Sequence, residues 1–200
     1  MKVWGLSGAS GSGKSTIAAS LAARLGGGML TTLSLDSYYR DLSHLEPIAR
    51  ARTDFDAPGS IDVGLLARHL DALVDGATVA MPIYDFEQHV RSGTRPVAVS
   101  EVLLVEGILL LAIDEVLAHC ELVVHLEVPS SVRLARRLER DVAERGRDPQ
   151  EVHDRWHTHA EPGYRRHVAP RTDRADLVVE HPYSVGRACD LVLEASAREE

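Results

Sequence analysis

The sequence predicts an α/β fold, a parallel sheet with helices on both faces. Three observations carry this. Short apolar runs alternate with segments of helical spacing along the chain. Two of the runs, EVLLVEG (101–107) and ELVVHLEV (121–128), are nearly all apolar, as strands covered on both faces are. The first run passes into the first helical segment through a glycine-rich loop, GASGSGKS (8–15).

The elements follow in order. KVWGLS (2–7) is a buried strand that ends at Gly8. KSTIAASLAARL (14–25) has apolar residues at helical spacing, and GGG at 26–28 stops it. MLTTLSL (29–35) is a second strand, followed over 36–59 by an irregular loop with a helical turn. Ser60 is placed to cap a helix over 61–75, which Gly76 ends. TVAMPIYD (78–85) and TRPVAVS (94–100) pair as a hairpin around a QHVRSG turn. After the two buried strands, a long helix runs from Ser130 to about Arg145 and a second from about Pro149 to Val168. DLVVE (176–180) is a last strand, and a terminal helix closes the chain. There is no internal repeat and no linker, so residues 1–200 are expected to form one domain.

Composition narrows the function. Twenty-two basic against 30 acidic residues leave a net charge of −8, which argues against broad binding of nucleic acid or anionic membrane. No stretch has the length of a membrane span; VLLVEGILLLAI is too short and contains Glu106. MKVWGLSG lacks the pattern of a signal peptide. Cys120 and Cys189 fit no metal-ligand spacing and are expected to be reduced thiols in a cytoplasmic protein. Twenty of the basic residues are arginine, the only lysines are Lys2 and Lys14, and asparagine is absent.

Gly8 to Ser15 fits G-x-x-x-x-G-K-[ST] completely, between a strand and a helix as the chemistry requires. Glycines let the backbone curl its N–H groups toward a phosphate chain, and the helix N-terminus adds a positive field. Lys14 can reach β- and γ-phosphates, and the Ser15 hydroxyl can hold Mg²⁺. ATP or GTP binding follows. A switch GTPase usually carries an N-K-x-D guanine reader, which a chain without asparagine cannot supply. A motor or transporter ATPase is normally larger. A small kinase fits best.

The acceptor side is then sought at the carboxyl ends of the strands. LSLDSYY (33–39) sets Asp36 there, followed by Tyr38 and Tyr39. By residue type alone Asp36 is a turn former. One strand after a phosphate loop, it is placed to accept a hydroxyl proton. Glu106, ending a buried strand in LLVEGIL (103–109), can bind Mg²⁺ directly or through water. RTDFDAPGSID (52–62) offers Asp56 and Asp62 around Phe55 and Pro58, and a carboxylate can accept both hydroxyls of a ribose diol. SVRLARRLERDVAERGRD (131–148) carries Arg133, Arg136, Arg137, Arg140, Arg145 and Arg147 among interleaved acids. A solvated helix with i,i+4 ion pairs accounts for Arg133 and Arg136. The segment as a whole can also close over a triphosphate as a lid. His153, His157 and His159 in HDRWHTH lack a zinc motif and are expected at the surface. Tyr84, Phe86, His89 and Arg91 are clustered in PIYDFEQHVR (82–91), in a chain with 4% aromatics.

In order, GASGSGKST, LSLDSYY, DFDAPGSID, PIYDFEQHVR, VEGIL, RLARRLERDVAERGRD and ADLVVE resemble the uridine kinase (uridine–cytidine kinase) family of P-loop kinases, over about Val3 to Glu180. The resemblance implies a P-loop NTPase fold of the nucleoside and nucleotide kinase type: a five-stranded parallel sheet flanked by helices, a β-hairpin arm at about 78–100 and an arginine-rich lid at about 133–150. It implies phosphorylation of the ribose 5′-hydroxyl of uridine or cytidine by ATP or GTP with Mg²⁺, in pyrimidine salvage, by a dimer or tetramer. Position by position, it makes Gly8, Ala9, Ser10, Gly11, Ser12, Gly13, Lys14, Ser15 and Thr16 the nucleotide site. It makes Asp36 the base and Ser15 and Glu106 the metal ligands. Asp56 would hold the ribose, with Phe55 and Tyr39 lining the acceptor site. Arg140 and Arg145 would face the nucleotide phosphates, and Arg137 and Arg147 the acceptor. Tyr84, Phe86 and His89 fall where the family reads the pyrimidine, and there His89 and the Tyr84 hydroxyl can bond its 4-position.

The chain departs from the family in places. Asp54 stands for a usual asparagine, and Gly59, Ser60 and Ile61 replace an acid and an aromatic. Arg155 and Trp156 stand where glutamine and tyrosine are usual, and both are expected beside the nucleoside pocket. An acceptor other than a pyrimidine nucleoside (another nucleoside, pantothenate or a sugar phosphate) is the alternative, and Arg155 is the feature in its favour.

Overall fold

The computed structural model describes residues 1–198. In chain order its strands are β1 (Lys2–Gly8), β2 (Leu30–Ser34), β3 (Val79–Asp85), β4 (Val90–Val97), β5 (Val102–Gly107), β6 (Leu122–Glu127) and β7 (Leu177–Glu180). Five of them form a parallel sheet in the order β2-β5-β1-β6-β7, while β3 and β4 make a separate antiparallel hairpin. The helices are α1 (Lys14–Leu25), α2 (Pro47–Ala51), α3 (Val63–Val74), α4 (Asp114–Leu117), α5 (Ser130–Arg145), α6 (Pro149–Arg155), α7 (Glu161–Gly163) and α8 (Val185–Ser196).

The sheet is covered on both faces. Every residue of β5 is buried, which is why its sequence is a continuous apolar run instead of an alternating one. On one face Trp4 and Leu6 pack with Ile17 and Leu21 of α1 and with Ala188, Cys189 and Val192 of α8. On the other, Leu33, Leu103 and Val105 pack with Leu66, Leu70 and Leu73 of α3 and with Met81 of the hairpin. Each such leucine taken fully out of water contributes about 1.5–3 kcal/mol. The first strand lies between β5 and β6, so the chain winds both ways from β1. The crevice at its carboxyl end is where such sheets gather ligands.

Four local readings need correction. The helix after the loop starts at Val63 and is capped by Asp62, whose carboxylate accepts the Leu65 N–H at 3.1 Å. Ser60 instead turns inward, its hydroxyl donating to the carbonyls of Ala57 (2.7 Å) and Phe55 (3.1 Å). The hairpin turn is earlier and tighter than QHVRSG: Asp85 pairs with Val90, and the Asp85 carboxylate accepts the N–H groups of Glu87 and Gln88, both at 2.8 Å. His89 completes that turn with φ 56°, and the register shifts between Ile83 and Tyr84. The helix expected over 149–168 is not a plain α-helix; π-helical turns at Trp156–Ala160 and Tyr164–Val168 flank α7.

Candidate active site

The phosphate loop is shaped by two left-handed residues, Gly11 (φ +79°) and Gly13 (φ +99°). At Gly11 even the space is lacking, because a Cβ would come within 2.3 Å of the Arg133 carbonyl oxygen. The loop is therefore pressed against the start of α5. Lys14 opens α1, and its ammonium donates to the carbonyls of Gly8 (2.8 Å) and Ala9 (3.3 Å). Burial pushes its pKa down, while the Glu106 and Asp36 carboxylates oppose the shift. Burial pushes Glu106 up in turn, opposed by Lys14. The Ser12 hydroxyl is buried without a partner. A curled backbone, a buried lysine, an orphaned hydroxyl and a carboxylate at the end of β5 suit a triphosphate with a hard cation.

A cleft of about 630 Å³ opens in front of this loop. Such a volume is ordinary for a small-ligand site. Ser10, Gly11, Gly13, Lys14, Ser15 and Thr16 line one end. Gly8, Ala9 and Ser12 belong to the back of the loop and do not line the cleft. Asp36 and Glu106 stand beside Lys14, and Tyr39, Phe55, Asp56, Tyr84, Phe86 and His89 line the remainder with Arg137, Arg140, Arg145 and Arg147. Residues far apart in the chain thus meet in one cleft.

The far end is aromatic. Phe55 and His89 stack with centroids 4.7 Å apart and an interplanar angle of 20°. Tyr39 packs on Phe55 at 5.2 Å and on Tyr84 at 5.3 Å, and Tyr84 on Phe86 at 5.4 Å. The Tyr84 hydroxyl is buried with no hydrogen-bond partner, a polar group a ligand can complete. Burial first, and then the Arg155 and Arg147 guanidiniums, hold the His89 imidazole below its ordinary pKa. Burial, and then the Asp36 and Asp56 carboxylates, hold the Tyr39 hydroxyl well above its own. Asp56 is raised by burial, with Arg137 opposing.

Arg91 holds this end in place. Its Nε donates to the Tyr39 carbonyl at 3.0 Å, its Nη2 meets Asp62 at 3.2 Å, and its N–H donates to Asp41 at 3.1 Å. Arg91 therefore ties the hairpin to the segment that carries Asp36 and Tyr39. Asp62, the second carboxylate offered for a diol, is spent on this tie and on its helix cap.

The lid departs furthest from expectation. Arg133 is not solvated: it is 3% exposed, donates to the Val128 carbonyl at 2.8 Å and to Glu161 at 3.0 Å, and lies over the rings of Trp156 (5.2 Å) and Tyr164 (4.6 Å). Arg136 reaches back to the Gly11 carbonyl at 3.5 Å. Of the pair expected beside the pocket, Arg155 lines it, whereas Trp156 is buried at 1% exposure beneath Arg133 and Arg137. His159 also lines the cleft, while His153 and His157 are exposed. Sequence reasoning passed over Thr53, Glu139 and Glu144, which line the cleft, and Asp141, which is fully buried among the lid arginines. Only the density of arginine around Asp141 hinted at its place. No group of three or more His, Cys, Asp or Glu side chains among the described residues could hold a metal by itself, so Glu106 would share a cation with Ser15 and a ligand. Among the same residues no helix is long and apolar enough to cross a membrane.

Known proteins resemble the chain closely. It is 38% identical over 180 residues to a uridine kinase of Deinococcus deserti, covering 90% of this chain and 87% of that one. It is 37% identical over 176 residues to a uridine kinase of Halobacterium salinarum, covering 88% and 78% respectively. Among solved structures, a candidate fructose transport system kinase from Silicibacter sp. TM1040 superposes with a TM-score of 0.75 at 27% identity, over 89% of each chain. The model of the phosphoribulokinase/uridine kinase family matches residues 3–185, and with a phosphate loop, carboxylates and the arginines of α5 around one cleft, the chain belongs to that family.

Proposed function

We propose that the protein is an ATP-dependent kinase that phosphorylates the 5′-hydroxyl of uridine or cytidine. The observation that carries the reading is the single cleft, with a phosphate loop at one end, an aromatic and histidine cluster at the other, and Asp36 between. Support for the acceptor comes from the uridine kinases at 37–38% identity. The reading brings with it a cytoplasmic role in pyrimidine salvage, GTP as an alternative donor, and a homodimer or homotetramer as the expected assembly.

The chemistry follows from the residues. Asp36 accepts the proton of the 5′-hydroxyl as that oxygen forms its bond to the γ-phosphorus and the bond from phosphorus to the β-bridging oxygen breaks, releasing ADP. Lys14 and the loop N–H groups hold the phosphate chain in line. Arg140 and Arg145 neutralise charge on the donor side, and Arg137 and Arg147 face the acceptor. Ser15 and Glu106 hold Mg²⁺, which supplies further charge neutralisation on the phosphates. Asp56 holds the ribose diol. Phe55 and Phe86 pack against the pyrimidine, and His89 and the Tyr84 hydroxyl bond its 4-position. Water is kept out by closure of the lid.

A second reading keeps this machinery and changes the acceptor to another nucleoside, pantothenate or a sugar phosphate. Arg155 in the cleft wall favours it, as an anionic group would find a cation there. One coupled assay decides between them: ATP·Mg²⁺ with uridine, cytidine, adenosine, pantothenate and ribulose 5-phosphate, with Asp36→Asn as control. Turnover confined to the pyrimidine nucleosides and lost in the control is expected. Turnover on ribulose 5-phosphate with none on uridine would refute the proposal.

A further inference from the structure

One buried carboxylate organises the lid. Asp141 is 0% exposed near the end of α5, and four guanidiniums converge on it. Its two oxygens divide them. Oδ1 accepts two hydrogen bonds from Arg140, at 2.7 and 2.9 Å, and lies 3.3 Å from Arg145. Oδ2 lies 3.6 Å from both Arg137 and Arg147 and has no hydrogen-bond partner, as does the Arg137 Nε that faces it. The backbone joins the same point, since the Asp141 carbonyl accepts the N–H groups of Gly146 and Arg147 and so closes the turn after the helix.

Four guanidiniums this close repel one another, and one carboxylate balances a quarter of their charge. A carboxylate out of water is stable only when paired, so Asp141 and the arginines hold each other in place. The split between the oxygens matches the proposed roles. Oδ1 holds the pair assigned to the nucleotide phosphates, and Oδ2 faces the pair assigned to the acceptor. The Oδ1 side is made. On the Oδ2 side an advance of less than about 1 Å would turn each ion pair into a hydrogen bond.

We infer that Asp141 is a positioning residue that couples the two substrates: it sets the donor-side and acceptor-side arginines in register, so that filling one side of the cleft prepares the other. The inference rests on the proposed assignment of those arginines. Asp141 touches neither substrate and acts through the guanidiniums. Removing its charge at constant shape should therefore release the arginines without emptying the site.

The test is a binding cycle on the full chain. The dissociation constant of the non-hydrolysable β,γ-imido analogue of ATP with Mg²⁺ is measured with and without saturating uridine, in wild type and in Asp141→Asn, with thermal melting as a check of folding. In wild type, uridine should tighten the nucleotide by a factor in the usual range of about 5–150. In Asp141→Asn that factor should fall towards one, and the nucleotide alone should bind about tenfold more weakly. A purely structural role would lower the melting temperature and leave the coupling factor of the folded fraction unchanged; that result overturns the inference. If the asparagine variant does not fold, Asp141→Glu serves, since it keeps the charge and moves both oxygens by about 1.5 Å. A folded glutamate variant with wild-type coupling is equally fatal. Wild type that binds the nucleotide but not uridine refutes the acceptor assignment instead. In that case unchanged nucleotide affinity in Asp141→Asn overturns the inference, and a loss of about tenfold keeps its donor half.

Discussion

Gly163→Ala sets two physical effects against each other, and the structure decides which wins. Gly163 has φ −60° and ψ −48°, ordinary right-handed helical angles, so alanine fits the backbone. On propensity alone the change would stabilise by about 1 kcal/mol. However, the added Cβ would stand 2.6 Å from the Asp56 Cβ and 2.9 Å from the Asp56 carbonyl oxygen, well inside contact distance. Both are atoms no side-chain rotation can remove. Overpacking of this kind costs about 1–3 kcal/mol. The net change lies between about 0 and 2 kcal/mol of destabilisation, or up to about 8 °C in melting temperature for a chain of this size. The larger consequence is for catalysis, because the strain is relieved by moving Asp56, the proposed ribose clamp. A misplacement of about 1 Å can cost 10²-fold, so kcat/KM for uridine should fall about 10- to 100-fold while the KM for ATP stays within about twofold. Steady-state kinetics with each substrate varied, together with a thermal melt, test this. A variant that melts higher and turns over uridine normally would refute the reasoning.

Further predictions follow from the same geometry. Asp36→Asn should lower kcat by about 10²- to 10⁴-fold with nucleotide affinity retained, measured by turnover and by titration of an ATP analogue. Arg133→Met removes the partner of Glu161 Oε2 and leaves that carboxylate, 12% exposed, with Arg165 alone; this should cost about 1.5–3 kcal/mol, visible as a denaturation midpoint lowered by roughly 3–12 °C. Because the His89 pKa is depressed, its ring stays neutral to a lower pH than a free imidazole. Uridine kcat/KM should therefore decline with acid only below the ordinary value of about 6.5, and Arg155→Gln, removing one repelling charge, should move that inflection upward. An inflection that Arg155→Gln leaves in place would disprove the account of His89. Glu106→Gln should raise the Mg²⁺ concentration needed for half-maximal turnover about tenfold or more, read from a metal titration after chelation.

What the sequence revealed was local. The central strands β1, β5 and β6 were legible because burial on both faces leaves continuous apolar runs, and the phosphate loop because its glycines and Lys14 act within eight residues. Many of the residues that line the cleft could be named in advance by resemblance, whereas Thr53, Glu139 and Glu144 could not, and Gly8, Ala9 and Ser12, named with them, lie behind it. The hairpin turn was misplaced because an aspartate side chain sets it and His89 adopts a backbone angle unusual for its type. Arg133 resembled a surface residue because its partners lie elsewhere: a carbonyl before its own helix and a glutamate 28 positions along the chain. Trp156 was expected at the pocket, but the π-helical turn it begins buries it under the lid arginines. Asp141 was one acid among several until the fold gathered four arginines around it.

The hairpin shares no hydrogen-bond ladder with the main sheet. Arg91 clasps it to the strand end that carries Asp36 and Tyr39, while the phosphate loop is built by other strands. The hairpin is nevertheless seated on the core by Val79, Met81 and Val97, and from that seat it contributes Tyr84, Phe86 and His89 to the end of the cleft proposed to take the acceptor. Under the proposed function, changing Phe86 and His89 while keeping Arg91 and the buried Val79, Met81 and Val97 would retune the choice of acceptor and leave the phosphate loop as it is.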